Sequence, residues 1–275
     1  MKFYFKSALC VFMAVGVLGY STAKADQLAD VKSRGSLVCG VLSSFEPFGF
    51  TDVSTRAVVG YDVDMCNAIA EKLGVQSEMR PLAIAARIAE LQQGRVDILI
   101  AGLGYSPQRA EQVDYSMGYY VSQHKLTVQA DKGYQTRDNL DGKRISFTKG
   151  GITERFIKET VPGAVLMGFE DTPTAFTALM QGKVDAFSVS EEAARRLLSR
   201  LGPTASRYKV LDPAVGKETW GIGVRKGETT LLAAVNDALE ALEDSGQAQR
   251  IFDKWLGPDT SYHMVRSFKI APIAQ

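Results

Sequence analysis

Two seven-residue stretches set 88 positions apart, Leu91-Gln-Gln-Gly-Arg-Val-Asp97 and Leu179-Met-Gln-Gly-Lys-Val-Asp185, match in residue type everywhere except at Gln92 and Met180. Each reads physically as a helix that packs through its Leu, stops at a Gly in the left-handed cap, and yields to a strand opening on Val-Asp. Strands are predicted over 96–100 and 184–189, short and apolar, as in a sheet covered on both faces. A unit that occurs twice in 275 residues implies two similar α/β lobes.

The rest of the chain fits that plan. Residues 64–73 read as an amphipathic helix stopped by Gly74, and 143–148 as a strand followed by a Gly150-Gly151 turn and a helix from Thr153. Two further amphipathic helices are predicted over 229–242 and 247–256. Beyond Gly257 no period is visible, and the segment is expected to wrap a lobe or fray.

The first residues carry an address. Lys2 and Lys6 precede an apolar stretch over 8–19, and Ala23-Lys24-Ala25 follows as a small-x-small site. That is the pattern of a secretory signal cleaved after Ala25, and the apolar stretch is too short to span a bilayer. The exported protein is expected to be soluble and periplasmic, with Cys39 and Cys66 left after Cys10 is removed. An oxidising compartment allows those two to form a disulfide, and two buried thiols are the alternative.

Composition matters mainly for what it excludes. The formal charge is +1, and residues 1–25 hold three lysines and no acid, leaving −2 on the rest. Nothing in that balance offers an electrostatic footprint for nucleic acid. The two histidines, His124 and His263, lack metal-ligand spacing, so no metal site is expected. There is no Gly-x-Ser-x-Gly elbow, no phosphate loop and no dinucleotide fingerprint, so neither a catalytic residue nor a cofactor is expected.

The sequence does offer two places suited to a small anion. After the first repeated strand comes Gly102-Leu-Gly104-Tyr-Ser106-Pro-Gln-Arg109. Ser106 is a natural N-cap and Pro107 a natural first helical residue, so free N–H groups and the helix end favour an anion. Arg109 can add a two-pronged contact to a carboxylate, and Gly104 lets a ligand approach the backbone. In isolation Arg109 would read as half of a surface ion pair with Glu111 or Asp114. Its place after a Gly-x-Gly strand end favours the binding role. In the second lobe, Gly150-Gly151-Ile152-Thr153 forms a comparable nest of N–H groups. Phe45, at the C-terminal end of the first strand, is the candidate ligand wall. Asp62, Asp97 and Asp185 read as caps and turn formers.

Taken together, Phe45-Glu-Pro-Phe-Gly-Phe50, Gly60-Tyr-Asp-Val-Asp64, Arg87-Ile-Ala-Glu-Leu91, Gly94-Arg-Val-Asp97, Ser106-Pro-Gln-Arg109, Asp114-Tyr-Ser116, Gly182-Lys-Val-Asp-Ala186 and Lys254-Trp-Leu-Gly257 resemble the extracellular solute-binding proteins of polar amino acid ABC transporters, the family 3 periplasmic binding proteins. The resemblance implies an α/β, two-lobed fold of type II with two hinge strands, near 118–123 and 216–220. Lobe 1 would comprise 26–120 and 219–275, and lobe 2 would comprise 121–218. It implies an amino acid or related small carboxylate held in the cleft, delivery to permease subunits, and a monomer. Arg109 matches the carboxylate-binding Arg. Gly102, Gly104, Gly151, Ile152 and Thr153 match contacts to main-chain atoms of the ligand, and Phe45 and Ile84 match its side-chain walls.

Two positions depart from the pattern. Ser190 stands where an Asp usually binds the ligand ammonium, with Glu191 beside it, so either Glu191 takes over or the ligand is not a simple α-amino acid; Tyr105 replaces a small aliphatic residue. A desolvated ammonium needs a partner charge or several acceptors. The rival implied by the same resemblance is a cyclohexadienyl-dehydratase-like enzyme, in which a cleft Glu would serve as acid or base.

Overall fold

The computed structural model describes Met1 and residues 26–149, 152–170 and 172–274. The export segment therefore lies outside the described residues apart from Met1, as does the Gly150-Gly151 turn.

The chain opens with α1 (Gln27–Arg34) and β1 (Ser36–Leu42). A small antiparallel sheet of β2 (Ser44–Phe45), β3 (Gly49–Thr51) and β4 (Val58–Val59) comes next, followed by α2 (Tyr61–Leu73) and β5 (Gln76–Leu82). Then come α3 (Arg87–Gln92), β6 (Ile98–Leu99) and α4 (Pro107–Ala110). The long strand β7 (Val113–Gln129) carries the chain into β8 (Arg144–Thr148), α5 (Thr153–Thr160), β9 (Val165–Phe169), α6 (Thr172–Met180), β10 (Ala186–Ser190) and α7 (Glu191–Ser199). A second long strand, β11 (Tyr208–Arg225), returns it to α8 (Thr229–Asp244) and α9 (Gln247–Leu256).

The order of the large sheet is β5-β1-β6-β11-β7-β10-β8-β9. On either side of the β11–β7 pair, a lobe's first strand lies between two parallel neighbours: β1 between β5 and β6, β8 between β9 and β10. The two-lobed α/β plan read from the repeat is this arrangement. Hydrophobic packing follows it. One pair of core clusters draws on residues between 31 and 120 and between 220 and 270, the other on residues between 126 and 215.

The repeat itself is reproduced atom by atom. Gly94 (φ 69°) and Gly182 (φ 68°) are left-handed caps, and each donates its N–H to the motif Leu carbonyl at 3.0 Å. Asp97 donates its N–H to Val38 O at 2.8 Å, and its carboxylate accepts from Val38 N at 2.8 Å. Asp185 makes the same exchange with Arg144, at 2.8 and 3.0 Å. Because each Asp is engaged in this clasp, the strands start two residues later, at Ile98 and Ala186, and not at the expected Val96 and Val184. α2 begins earlier than predicted because Pro47 and Phe48 carbonyls accept the N–H groups of Tyr61 and Asp62 at 2.9 Å, capping the helix. α9 has the predicted bounds.

Cys39 and Cys66 are joined, with Cα atoms 6.5 Å apart, so β1 is fastened to α2 within one lobe. The C-terminal segment wraps. Arg266 grips Glu243 with both terminal nitrogens, one at 3.0 Å. Phe268 packs edge-on to Tyr120 at 5.2 Å, and Ala271 exchanges backbone hydrogen bonds with Gly118. Among the described residues, no helix is long and apolar enough to cross a membrane.

Candidate functional site

The chain leaves β6 through Ile100, whose N–H still bonds Gly40 O at 3.0 Å, and turns at Gly102 with φ 56°. Side chains fix this turn on both sides. Gly102 N donates to Asp62 Oδ2 at 3.2 Å, and Arg87 Nη1 donates to the carbonyls of Ala101 and Gly102 at 2.6 and 3.1 Å. A Cβ at Gly102 would lie 3.0 Å from the Phe45 ring, so only glycine lets that wall close on the backbone. Gly104 is more restricted still, since a Cβ there would lie 1.8 Å from Glu218 Oε1.

Ser106 caps α4 as expected, accepting Arg109 N at 3.3 Å, with Pro107 first in the helix. That helix has only four residues, so few peptide dipoles align and its field on an anion is weak. Side-chain charge must supply the attraction. Arg109 does not make the expected surface pair, because Asp114 is held by Lys226 at 2.8 Å. The guanidinium turns back, and its Nη1 donates to Gly104 O at 2.8 Å. Neither Arg109 nor Arg87 forms an ion pair with a described residue. Burial and the nearby Arg109 charge together depress the Arg87 guanidinium. Two guanidiniums that repel each other beside a glycine turn are stabilised by any anion placed between them.

Asp62 is not the helix cap the sequence suggests, because α2 is capped at Gly60 without a side-chain bond and the Asp62 carboxylate turns to Gly102 N instead. It is fully buried and also accepts Tyr119 Oη at 2.9 Å. Burial pushes its carboxyl up to about 7, against an ordinary value of 3.8. The folded chain thus keeps a proton that the unfolded chain releases first, so stability from this group is full below about 4 and is lost as pH rises to about 7. We expect the melting midpoint to fall by several degrees across that window. Asp62→Asn should flatten the slope without abolishing it, because buried Glu192, also pushed up to about 7, acts in the same sense. Equal slopes in calorimetric scans of both chains would remove Asp62 as the source.

The remaining expected residues divide. Phe45 meets Gly102 and stacks on Phe48 at 5.0 Å. Thr153, opening α5, places its hydroxyl 2.9 Å from His124 Nδ1, on β7; burial holds that ring at about 4, so it is neutral. Ile152 packs on the core of its own lobe, and Gly151 lies outside the described residues. Ile84 is 61% exposed, in a 3-10 turn. Tyr105 lines a surface hollow with Tyr115, Met117 and Asn236.

Glu191, the expected ammonium partner, is already neutralised. Its oxygens pair with Lys125 Nζ at 2.8 Å and Arg195 Nη2 at 2.9 Å. Its neighbour Glu192 lines a cavity with Phe45, Glu46, Arg196 and Arg200. Sequence reasoning missed Glu192, Arg87 and Trp220, whose ring lies 5.8 Å from Phe45. For Glu192 the signal was present, since a doubled acid at a helix start offers two directions and a sequence does not choose between them. Among the described residues, no cluster of three or more metal-ligating side chains occurs.

The model of the bacterial extracellular solute-binding proteins, family 3, matches residues 37–258. The L-cystine-binding protein TcyJ of Escherichia coli K12 is 30% identical over 262 residues, which cover 93% of this chain and 97% of the relative. The glutamine-binding protein GlnH of Bacillus subtilis is 27% identical over 241 residues, covering 86% and 87%. Among solved structures, an ancestral cationic amino acid solute-binding protein, AncCDT-1, superposes with a TM-score of 0.70 at 28% identity, covering 84% of this chain and 99% of that one.

Proposed function

This chain belongs to the bacterial extracellular solute-binding proteins, family 3, and from that premise we propose that Arg109 and the Gly102–Ser106 turn hold the carboxylate of an amino acid between its lobes. It serves as the amino-acid-binding component of an ABC transporter, as its relatives do. The observation that carries the site is the pair of guanidiniums, Arg87 and Arg109, which bond the carbonyls of one glycine turn and form no ion pair with a described residue.

Arg87 is tied to Ala101 and Gly102 carbonyls, so it shapes the turn and adds field. Arg109 needs to give up only its bond to Gly104 O and its contact with the Tyr115 hydroxyl to face a ligand. We take lobe 1 as 26–120 with 219–275 and lobe 2 as 121–218. The start of α5 at Thr153 closes onto the ligand from the second lobe, completing its hydrogen bonds. Phe45 forms the wall beside the ligand side chain. The closed form docks on permease subunits, and the exported chain, cleaved after Ala25, works as a monomer and not as an enzyme.

A thermal-shift screen of refolded protein against amino acids, oxo acids and opines tests this reading. At one hundred times its dissociation constant a ligand adds about 2.7 kcal/mol, or roughly 5–10 °C in a chain of this size. No shift with any amino acid would sink the proposal. The dehydratase reading draws on one observation, a buried Glu192 held near 7 in the inter-lobe cavity. Product formed from an arogenate-like acid would favour it.

A further inference from the structure

An α-amino acid carries its carboxylate and its ammonium on one carbon, so a site that reads both needs opposite charges set close together. Arg109 supplies the first, with Nη1 2.8 Å from Gly104 O. The second is not supplied by α7 or the residue before it. Ser190 has no charge, and Glu191 is paired with Lys125 at 2.8 Å and Arg195 at 2.9 Å.

An acid does meet the glycine that Arg109 touches, and it comes from the crossing strand β11. A Cβ on Gly104 would collide with Oε1 and the carboxyl carbon of Glu218, so that carboxylate fills the space where a side chain of residue 104 would stand. Gly104 has no left-handed φ, so glycine provides room there and not conformational freedom. The turn and β11 are held together at this point, because Tyr105 N donates to Thr219 O at 2.9 Å and Gly221 N to Leu103 O at 3.2 Å. Trp220, two residues along and so on the same face of the strand, donates Nε1 to Glu218 Oε2 at 3.2 Å and sets its ring 5.8 Å from Phe45. Ser122, the partner of Glu218 on β7, bonds Glu192 of the second lobe at 2.7 Å. Glu218 thus stands half-buried where the two lobes meet the ribbon. Its Oε1 accepts no hydrogen bond from a described residue, and its carboxylate forms no ion pair with one. Its charge is nonetheless felt by Arg87 and Tyr115, which flank the turn.

We propose that Glu218 Oε1 receives the α-ammonium of the bound amino acid, which makes it a specificity-determining residue of this site. The inference rests on the amino-acid-binding reading above and deepens it by assigning the group that tells an amino acid from other small acids. Guanidinium and carboxylate then bracket one residue, Gly104, as ammonium and carboxylate bracket the α-carbon of the ligand. A 2-hydroxy acid or a 2-oxo acid offers Arg109 the same carboxylate but brings no positive charge to Glu218. Only a cation offsets the cost of enclosing the Glu218 charge when the lobes shut. Because Glu218 belongs to the ribbon and not to the second lobe, both charges of the ligand are read before closure.

Isothermal calorimetry with matched pairs tests this: L-glutamate against L-2-hydroxyglutarate, L-phenylalanine against L-phenyllactate, L-arginine against L-argininic acid, and the like pair for whichever other amino acid raises the melting midpoint most. Each pair keeps the carboxylate and side chain and exchanges the ammonium for a hydroxyl. The unmodified protein should prefer the amino acid by roughly tenfold or more, and Glu218→Gln should bring that ratio close to one. Gly104→Ala, whose new methyl group displaces the flexible end of Glu218, should lower the ratio in the same direction and serves if Glu218→Gln does not fold. If Glu218 were only an internal counter-ion for the two guanidiniums, Glu218→Gln would tighten both members of a pair alike, and an unchanged ratio would overturn the assignment. Equal binding of both members by the unmodified protein would overturn it without any variant, while leaving the transport reading intact. Absence of binding to every amino acid would remove the transport reading itself, and this inference with it.

Discussion

Replacing Arg109 by alanine is expected to weaken amino-acid binding by about 2–5 kcal/mol, the range for truncating one member of a buried charge pair. The argument is electrostatic. Burial and Arg109 both depress Arg87, and Arg87 is fastened to two carbonyls, so it cannot swing in to replace the lost contact. The four-residue helix at Ser106 is too short to compensate. Arg109→Lys should recover only part of the affinity, because an ammonium lacks the two-pronged fit to a carboxylate. The fold should survive, since the side chain contributes only its bond to Gly104 O and its contact with the Tyr115 hydroxyl. Calorimetry showing unchanged affinity in Arg109→Ala would take this residue out of the site.

The second large effect concerns stability. Joining Cys39 to Cys66 closes a loop of 27 residues, for which chain entropy gives about 3.5 kcal/mol. Both residues are fully buried, one mid-strand in β1 and one on α2, so the bond sits inside the larger core. The double substitution Cys39→Ala, Cys66→Ala should lower the melting midpoint by roughly 7–14 °C. Dithiothreitol should move the unmodified protein in the same direction. A midpoint indifferent to both would mean that the cross-link contributes nothing.

Much of this architecture was legible because local rules and the global fold agree. Gly94 and Gly182 announce helix ends, and the ends are there, each handing over to an Asp clasp on the lobe's first strand. The amphipathic pattern of 247–256 delimits α9 to the residue. The cap at Ser106 and the glycine turn were readable for the same reason, since the rules they obey are short-range. What stayed hidden depends on direction in space. Glu191 and Glu192 differ by one step, about 100° around a helix. That step decides whether a carboxylate meets Lys125 or the cavity beside Phe45. Tyr105 turned outward for a comparable reason, with its N–H engaged by Thr219 O on β11 and its ring set against Tyr115. The pairing of Cys39 with Cys66 required knowing how α2 lies on β1, which no spacing reveals.

The crossing pair of strands governs how such a body can move. Between Tyr120–Trp220 and His124–Gly216, β7 and β11 pair residue for residue, with register shifts at both ends of that stretch. A two-strand ribbon bends easily across its flat face and resists sliding along its length, where every rung would have to break. The halves therefore swing like the covers of a book on one spine. The bond from Glu46 to Arg196 ties one cover to the other, so it is made or broken as they swing.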